Sequence, residues 1–211
     1  MHLSLAPSSP GSPMRWLLTA LGLMISLATG TEALGAQGQV RAGASAGIAM
    51  PSGVLQDQAN PGWQAGASLD VWLPEMPASL RVDAAYGRFG FKSTPVGSTE
   101  RVTGARTIAS ASLGLSLGSS DSLSKASPYA LAGLTMNHIA CTGSSAGTSV
   151  CEAAWQMGWN AGLGARFIMF GRQAFADARF HCVSRWVKDL CYVPVTVGLL
   201  FWSHDASTID Q

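Results

Sequence analysis

The chain has 211 residues and a formal net charge of +1 at pH 7, which gives no electrostatic case for binding nucleic acid. Only 12% of the residues are charged, against about 25% in typical soluble domains. This composition argues against an ordinary water-exposed surface, and the length suits one domain.

The first 36 residues have the organisation of a secretory signal peptide. Arg15 supplies the positive charge, an apolar core runs from Trp16 to Ala28, and cleavage after Ala33 or Ala36 fits the small residues that follow. Met14 is an alternative start. An uncleaved membrane anchor is the other interpretation, but the core is shorter than the roughly 20 apolar residues that a spanning helix needs.

From about residue 37, apolar residues alternate with small or polar ones, which is the period of a β-strand. Val193, Val195 and Val197 form one face of the clearest example. Segments of about ten residues with this repeat are typical of membrane barrels. The sequence therefore predicts an all-β fold, an eight-stranded antiparallel up-and-down transmembrane β-barrel over 37–202, followed by a short polar tail over 203–211. The predicted strands are Val40–Met50, Trp63–Leu73, Ser79–Phe91, Thr103–Leu117, Pro128–Ile139, Gln156–Met169, Ala174–Cys182 and Tyr192–Trp202.

Charges within the strands fall almost entirely on the polar face, and they are arginines and aspartates. Lysines and glutamates lie in loops, turns or strand ends, although a water-facing sheet would normally use both. Paired charges suit a narrow lumen, where an unpaired buried charge is costly. Because arginines outnumber aspartates, some are expected to reach water or a loop carboxylate. The predicted lumen charge network comprises Arg41, Asp70, Arg81, Asp83, Arg106, Arg166, Asp177 and Arg179.

Alternation alone does not decide which face is inside, and a soluble lipocalin-like barrel that binds a lipid is the alternative. Aromatic residues near the strand ends favour the membrane interpretation, because interface girdles are built from them. The residues predicted to form these girdles are Trp63, Trp72, Phe89, Tyr129, Trp155, Trp159, Phe170, Phe175, Tyr192, Phe201 and Trp202.

Four cysteines in an exported chain indicate disulfides. Cys141 and Cys151 bracket one short polar segment, and Cys182 and Cys191 bracket another. Local pairing is favoured among the three possible connectivities. No CxxC motif or cysteine–histidine cluster has the spacing of a metal site, so no metal is predicted.

An even number of strands places both chain ends on the periplasmic side. The longer connections then become extracellular, together with both cysteine pairs. These predicted extracellular segments are Pro51–Gly62, Lys92–Val102, Ala140–Trp155 and Val183–Cys191.

Five segments in order resemble the small outer-membrane protein β-barrel domain family, of the OmpA-like transmembrane type. They are Gly47–Gly53, Ser79–Tyr86, Pro128–Gly133, Phe175–His181 and Val193–Phe201. The resemblance spans about residues 39–202. It implies a barrel in the outer membrane of a diderm bacterium, inserted by the barrel-assembly machinery. In that family the final strand usually stops at its last aromatic residue, whereas this chain continues beyond Trp202.

The best catalytic candidates are His181 and Ser184, since lipid A deacylases are small barrels that use histidine, serine and glutamate. The stretch His181-Cys182-Val183-Ser184 departs from their spacing, so no catalytic residue and no cofactor is predicted. His138 is assigned to the membrane interface or the lumen.

We expect a monomer with a structural or surface-interaction role, in contact with outer-membrane lipids and an unknown extracellular ligand. A lipid A-modifying enzyme and a narrow channel are the alternatives.

Overall fold

The computed structural model describes residues 40–73, 76–92, 95–96, 100–101, 103–118, 126–145, 148–149, 153–184 and 189–204. The predicted signal peptide, Cys151 and the chain after His204 lie outside these ranges.

Eight long strands and one short helix organise the described chain. Short strands at Pro95–Val96 and Glu100–Arg101 pair with each other, and Thr148–Ser149 pairs with the end of the fifth long strand. No helix among the described residues is long and apolar enough to cross a membrane. The main elements are β1 (Val40–Gly53), α1 (Val54–Gln58), β2 (Gly62–Trp72), β3 (Ala78–Gly90), β4 (Thr103–Gly118), β5 (Ala126–Ser145), β6 (Ala154–Met169), β7 (Arg172–Val183) and β8 (Leu190–His204).

Each long strand pairs antiparallel with the next one along the chain, and β1 pairs with β8 to close the barrel. The register places Arg41 opposite Asp70 and Asp177 opposite Thr196. One irregularity lies between Ala42 and Gly43, where the pairing with β8 shifts by one residue. The predicted eight-stranded up-and-down barrel is confirmed.

Several strands run further than the alternation indicates. β5 continues from Ile139 to Ser145, β1 ends at Gly53, and β8 reaches His204, past the predicted boundary at Trp202. In a closed barrel a strand continues as long as its neighbour offers backbone partners, and Thr103 of β4 pairs with Ser144 of β5. Side-chain alternation cannot report this, because the extended ends are rich in Gly, Ser and Thr.

The outer face is apolar and the inner face carries the charges. Leu113, Leu134, Leu163 and Val197 are 55–70% exposed, whereas Arg81 is only 3% exposed. A soluble barrel would place the apolar face inside, so the lipocalin-like alternative is contradicted. The inverted arrangement is that of a membrane barrel.

Two inward glycines make room for aromatic rings. A Cβ atom at Gly198 would meet the Phe175 ring, and one at Gly164 would meet the Tyr129 ring. Both rings lie against the barrel wall and are nearly fully buried. The close approach of ring to backbone therefore requires glycine at these two positions.

We expect Gly198→Val to destabilise the barrel by about 1–3 kcal/mol, because overpacking forces the Phe175 ring out of place. Gly90→Val is the matched control, since a Cβ there meets nothing within 4 Å. Urea unfolding of both variants in detergent micelles measures the difference. Equal stability would show that the lumen has spare room at Phe175.

Candidate functional site

Charged and polar side chains from all eight strands meet in the part of the lumen nearer the chain ends. We call this group the ionic layer, and most of its members are buried. It consists of Arg41, Asp70, Ser79, Arg81, Asp83, Ser116, Tyr129, Arg166, Asp177, Arg179 and Thr196, together with the rings of Trp72 and Phe175.

Asp177 is the most connected carboxylate of the ionic layer. Its oxygens accept hydrogen bonds from the Thr196 hydroxyl at 2.8 Å, the Tyr129 hydroxyl at 3.1 Å and the Arg179 guanidinium at 2.8 Å. The Arg81 guanidinium lies 3.6 Å away. One side chain on β7 is thus bonded to residues on β3, β5 and β8.

Asp83 and Asp70 extend the ionic layer across the barrel. Arg179 contacts both oxygens of Asp83, at 2.8 and 3.3 Å, and the Nε of Arg81 lies 2.9 Å from Asp83. Asp70 accepts a hydrogen bond from Ser79 at 3.4 Å and lies 3.6 Å from Arg81. The two-point contact of Arg179 is the strong form of this ion pair.

Three arginines of the ionic layer lie against aromatic rings. The guanidinium of Arg166 is 4.9 Å from the Trp72 ring centroid and 4.4 Å from that of Tyr129, and Arg41 is 5.5 Å from Trp72. Arg81 lies 5.1 Å from the Phe175 ring. Each such contact is worth about 2 kcal/mol when desolvated. The rings thus stabilise these three charges.

The prediction that all the terminal aromatics form membrane girdles is wrong for five of them. On their strands these residues fall on the face opposite the exposed apolar side chains, so their rings point into the lumen and are buried. They are Trp72, Phe89, Tyr129, Phe175 and Tyr192. Trp63, Trp155, Trp159, Phe170 and Phe201 are exposed on the outside, and the side chain of Trp202 lies outside the described part.

Arg106 belongs to a different part of the lumen from the ionic layer. Ser112 of β4 is the register partner of Asp83 and so marks the level of the ionic layer on that strand. Arg106 lies six residues from Ser112, a distance of about 20 Å along the strand. Its guanidinium lies 3.4–3.5 Å from the Gln58 side-chain oxygen and 5.8 Å from the Phe91 ring centroid. The other seven predicted network residues lie inside the barrel at the level of the ionic layer.

Apolar side chains fill the opposite end of the lumen. Leu55, on α1, is 0% exposed and packs within this cluster, which we call the lid core. The helix lies in the predicted extracellular segment Pro51–Gly62, and it brings an apolar side chain over the barrel mouth. The lid core comprises Ala49, Leu55, Ala59, Phe89, Ile108, Ile139, Val183, Leu190 and Tyr192.

Backbone hydrogen bonds attach α1 to the end of β3. The Asn60 N–H donates to the Gly90 carbonyl at 2.8 Å, and the Lys92 N–H donates to the Gln58 carbonyl at 2.9 Å. The Lys92 ammonium donates to the Gln56 carbonyl at 2.6 Å. We call α1 the lid. It is held by the packing of Leu55 in the lid core and by hydrogen bonds with Gly90 and Lys92.

His181 and Ser184 are not assembled into a catalytic group. His181 is 3% exposed, points into the lumen and stacks on Tyr192 with ring centroids 5.1 Å apart. Neither ring nitrogen has a hydrogen-bond partner within the described residues. Ser184 is exposed beyond the end of β7, about 10 Å further along the strand. His138 points outward and packs on Trp155, in keeping with an interface position.

The Cys182–Cys191 disulfide joins directly opposed residues of β7 and β8. Cys141 is also disulfide-bonded, and its predicted partner Cys151 lies outside the described part. The described residues contain no group of three or more His, Cys, Asp or Glu that could hold a metal ion.

Replacing Cys182 and Cys191 together with serine is expected to cost about 2–3 kcal/mol, because the bridge restricts a short loop in the unfolded chain. The barrel should still form, since every strand keeps its backbone partners. Urea unfolding with and without reductant measures the effect. A reductant response of the same size in the double variant would assign it to Cys141 instead.

Comparisons with known proteins agree with this architecture. No protein-family model matches the chain, and no curated protein matches it in sequence. The neisserial surface protein A superposes with a TM-score of 0.52 at 16% identity, covering 77% of this chain and 95% of that one. Ail, the attachment invasion locus protein of Yersinia pestis, gives 0.50 at 14% identity, covering 78% and 99%. At these identities the likeness establishes the fold.

Proposed function

Because the chain has the fold of the small outer-membrane β-barrels, we propose that it is a monomeric outer-membrane protein that acts through its extracellular loops. The exposed apolar belt supports this location, because a band of exposed Leu, Met and Val is stable in lipid and unfavourable in water. In this proposal residues 1–36 direct export and are cleaved, and the assembly machinery inserts the barrel.

The observation that carries the proposal is the filled interior. The ionic layer occupies one half of the lumen, and the lid core with α1 closes the other end. Side chains largely fill an eight-stranded barrel, so a continuous aqueous path has no support here. Function is therefore assigned to surfaces outside the lumen, and the role is structural or based on interaction.

The predicted extracellular segments, residues 51–62, 92–102, 140–155 and 183–191, contain four basic and four acidic residues, a balance of 4 − 4 = 0, so their net charge favours no class of ligand. Residues 183–191 carry a local excess of one positive charge, from two basic residues and one acidic residue. On the lid, Gln56, Asp57 and Gln58 are exposed. Ail was crystallised with the heparin analogue sucrose octasulfate, so a sulfated glycan is a suitable first probe.

The test is binding of the folded protein, in detergent micelles, to immobilised heparin. We expect saturable binding that falls when residues 183–191 are exchanged for a neutral loop that keeps both cysteines. Arg172→Gln, at the opposite end of the barrel, is the matched control and should bind as the unaltered protein does. Binding that is equal in all three proteins, or absent from all, would contradict an anionic surface ligand.

Planar-bilayer recording tests the channel alternative. Because the interior is filled at two levels, we expect no discrete conductance steps from the folded protein. Regular steps that persist after purification would contradict the proposal. They would show that the ionic layer or the lid opens in the membrane.

A further inference from the structure

Among the described strands, two cations break the rule that charges point inward. Arg88 lies on the same face of β3 as Leu80, Val82 and Tyr86. This face points outward, and the Arg88 side chain is exposed. Among the long barrel strands in the part that the structure describes, the outward face carries one other charged side chain, Arg172. Arg172 lies at the opposite end of the barrel, at the start of β7.

Two neighbours of Arg88 on the outer face are aromatic. Its register partner on β2 is Trp63, and Tyr86 is the preceding outward residue on β3. The rings of Trp63 and Tyr86 are tilted, with centroids 5.7 Å apart. Tryptophan and tyrosine concentrate at the headgroup level of a membrane, so this pair marks the boundary of the lipid on that side.

Three hydrogen-bond donors on this patch are unused by the protein. The Arg88 guanidinium, the Trp63 indole N–H and the Tyr86 hydroxyl have no hydrogen-bond or ion-pair partner in the described part of the chain. By contrast Thr107, the register partner of Arg88 on β4, donates its hydroxyl to the Ala140 carbonyl. The free donors therefore form a compact outward group on β2 and β3, with a cation at its upper edge.

We propose that Arg88, Trp63 and Tyr86 form a binding site for the phosphate headgroup of an outer-leaflet lipid. A guanidinium presents paired donors that match phosphate oxygens, and a charge-assisted bond of this kind is stronger than a neutral one. Strand pairing fixes the distance between the cation and the aromatic pair, so the site is preorganised. The lipid source is favoured over a soluble anion because the donors face sideways from the barrel, where lipid lies.

The proposed lipid site rests on the membrane location given under the proposed function, but the experiment can contradict the site without contradicting that location. A protein that does not fold in micelles would contradict both. A protein that folds in micelles but binds lipid phosphate equally well without Arg88 would contradict only this site.

The experiment is a nuclear magnetic resonance titration of the indole N–H signal of Trp63, assigned by its loss in Trp63→Phe. The folded protein in zwitterionic micelles is titrated with diphosphoryl lipid A and, separately, with inorganic phosphate at the same concentration. We expect a saturable shift with lipid A, and an apparent affinity about tenfold lower in Arg88→Gln, the loss of one charged hydrogen bond. Arg172→Gln is the control and should titrate as the unaltered protein does.

Arg88→Lys tests whether lipid A binding depends on the paired donors of the guanidinium or only on its positive charge. The paired-donor geometry predicts that lysine restores only part of the affinity, because an ammonium is a point charge. Lipid A affinity that is unchanged in Arg88→Gln would overturn the proposal and leave Arg88 as a solvated interface residue. A shift of equal size with inorganic phosphate would also overturn it, because the site would then select a soluble anion.

Discussion

Replacing Asp177 with alanine is expected to lower the free energy of unfolding by about 3–5 kcal/mol, because it leaves buried arginines without their carboxylate. The side chain is buried and accepts hydrogen bonds from Thr196, Tyr129 and Arg179. Its removal also leaves the Thr196 and Tyr129 hydroxyls without this acceptor. The measurement is urea unfolding in micelles, or the temperature at which the folded band disappears on an unboiled gel.

Asp189→Ala is the matched control for this prediction. Asp189 is an exposed aspartate beside the second cysteine pair, and its removal should change stability by less than about 0.5 kcal/mol. Asp177→Asn is the informative intermediate, since an amide can still accept from Thr196 but carries no charge. If Asp177→Ala were as stable as Asp189→Ala, the contacts of Asp177 in the ionic layer would contribute nothing measurable to the free energy of unfolding.

Shortening Leu55 to alanine is expected to cost about 2–5 kcal/mol, the usual range for a fully buried leucine. Because α1 contacts the barrel through this side chain and a few hydrogen bonds, we expect the cost to appear as opening of the lid. The Ala59 N–H, which donates to the Leu55 carbonyl at 2.9 Å, reports that opening. Its hydrogen exchange should become at least about thirtyfold faster.

Gln56→Ala is the control for the lid, because Gln56 is exposed and its backbone carbonyl, which Lys92 contacts, is retained. Amide protons in the middle of β7, around Asp177, should exchange at the same rate in both variants. Faster exchange throughout the barrel in Leu55→Ala would show that the lid core is part of the global folding unit. No change at Ala59 would show that α1 is held by its hydrogen bonds alone.

The strand face that carries the charges predicts the inside of the barrel correctly. The same alternation also gives the correct side for aromatic residues that their residue type alone assigns to the wrong side. Trp72 and Phe175 lie on the same strand faces as Asp70 and Asp177, and Tyr129 lies on the face of β5 opposite Leu134 and Met136. Alternation applied without exception therefore places all three in the lumen. The girdle prediction put them outside because aromatics near strand ends are typical of membrane interfaces. Their contacts with arginine depend on strand stagger around the closed barrel, which no local pattern records.

The sequence by itself determined the number of strands and, through the positions of the charges, which face of each strand is buried, and it favoured local pairing of Cys182 with Cys191. The strands and their two faces follow from periodicity, which acts over a few neighbouring residues, and the cysteine pairing follows from export and short spacing. Only the tertiary structure decided which aspartate meets which arginine, that Leu55 closes the barrel mouth, and that Arg88, Trp63 and Tyr86 form one outward group. Each of these joins residues from different strands, and their distances are fixed by register and barrel closure.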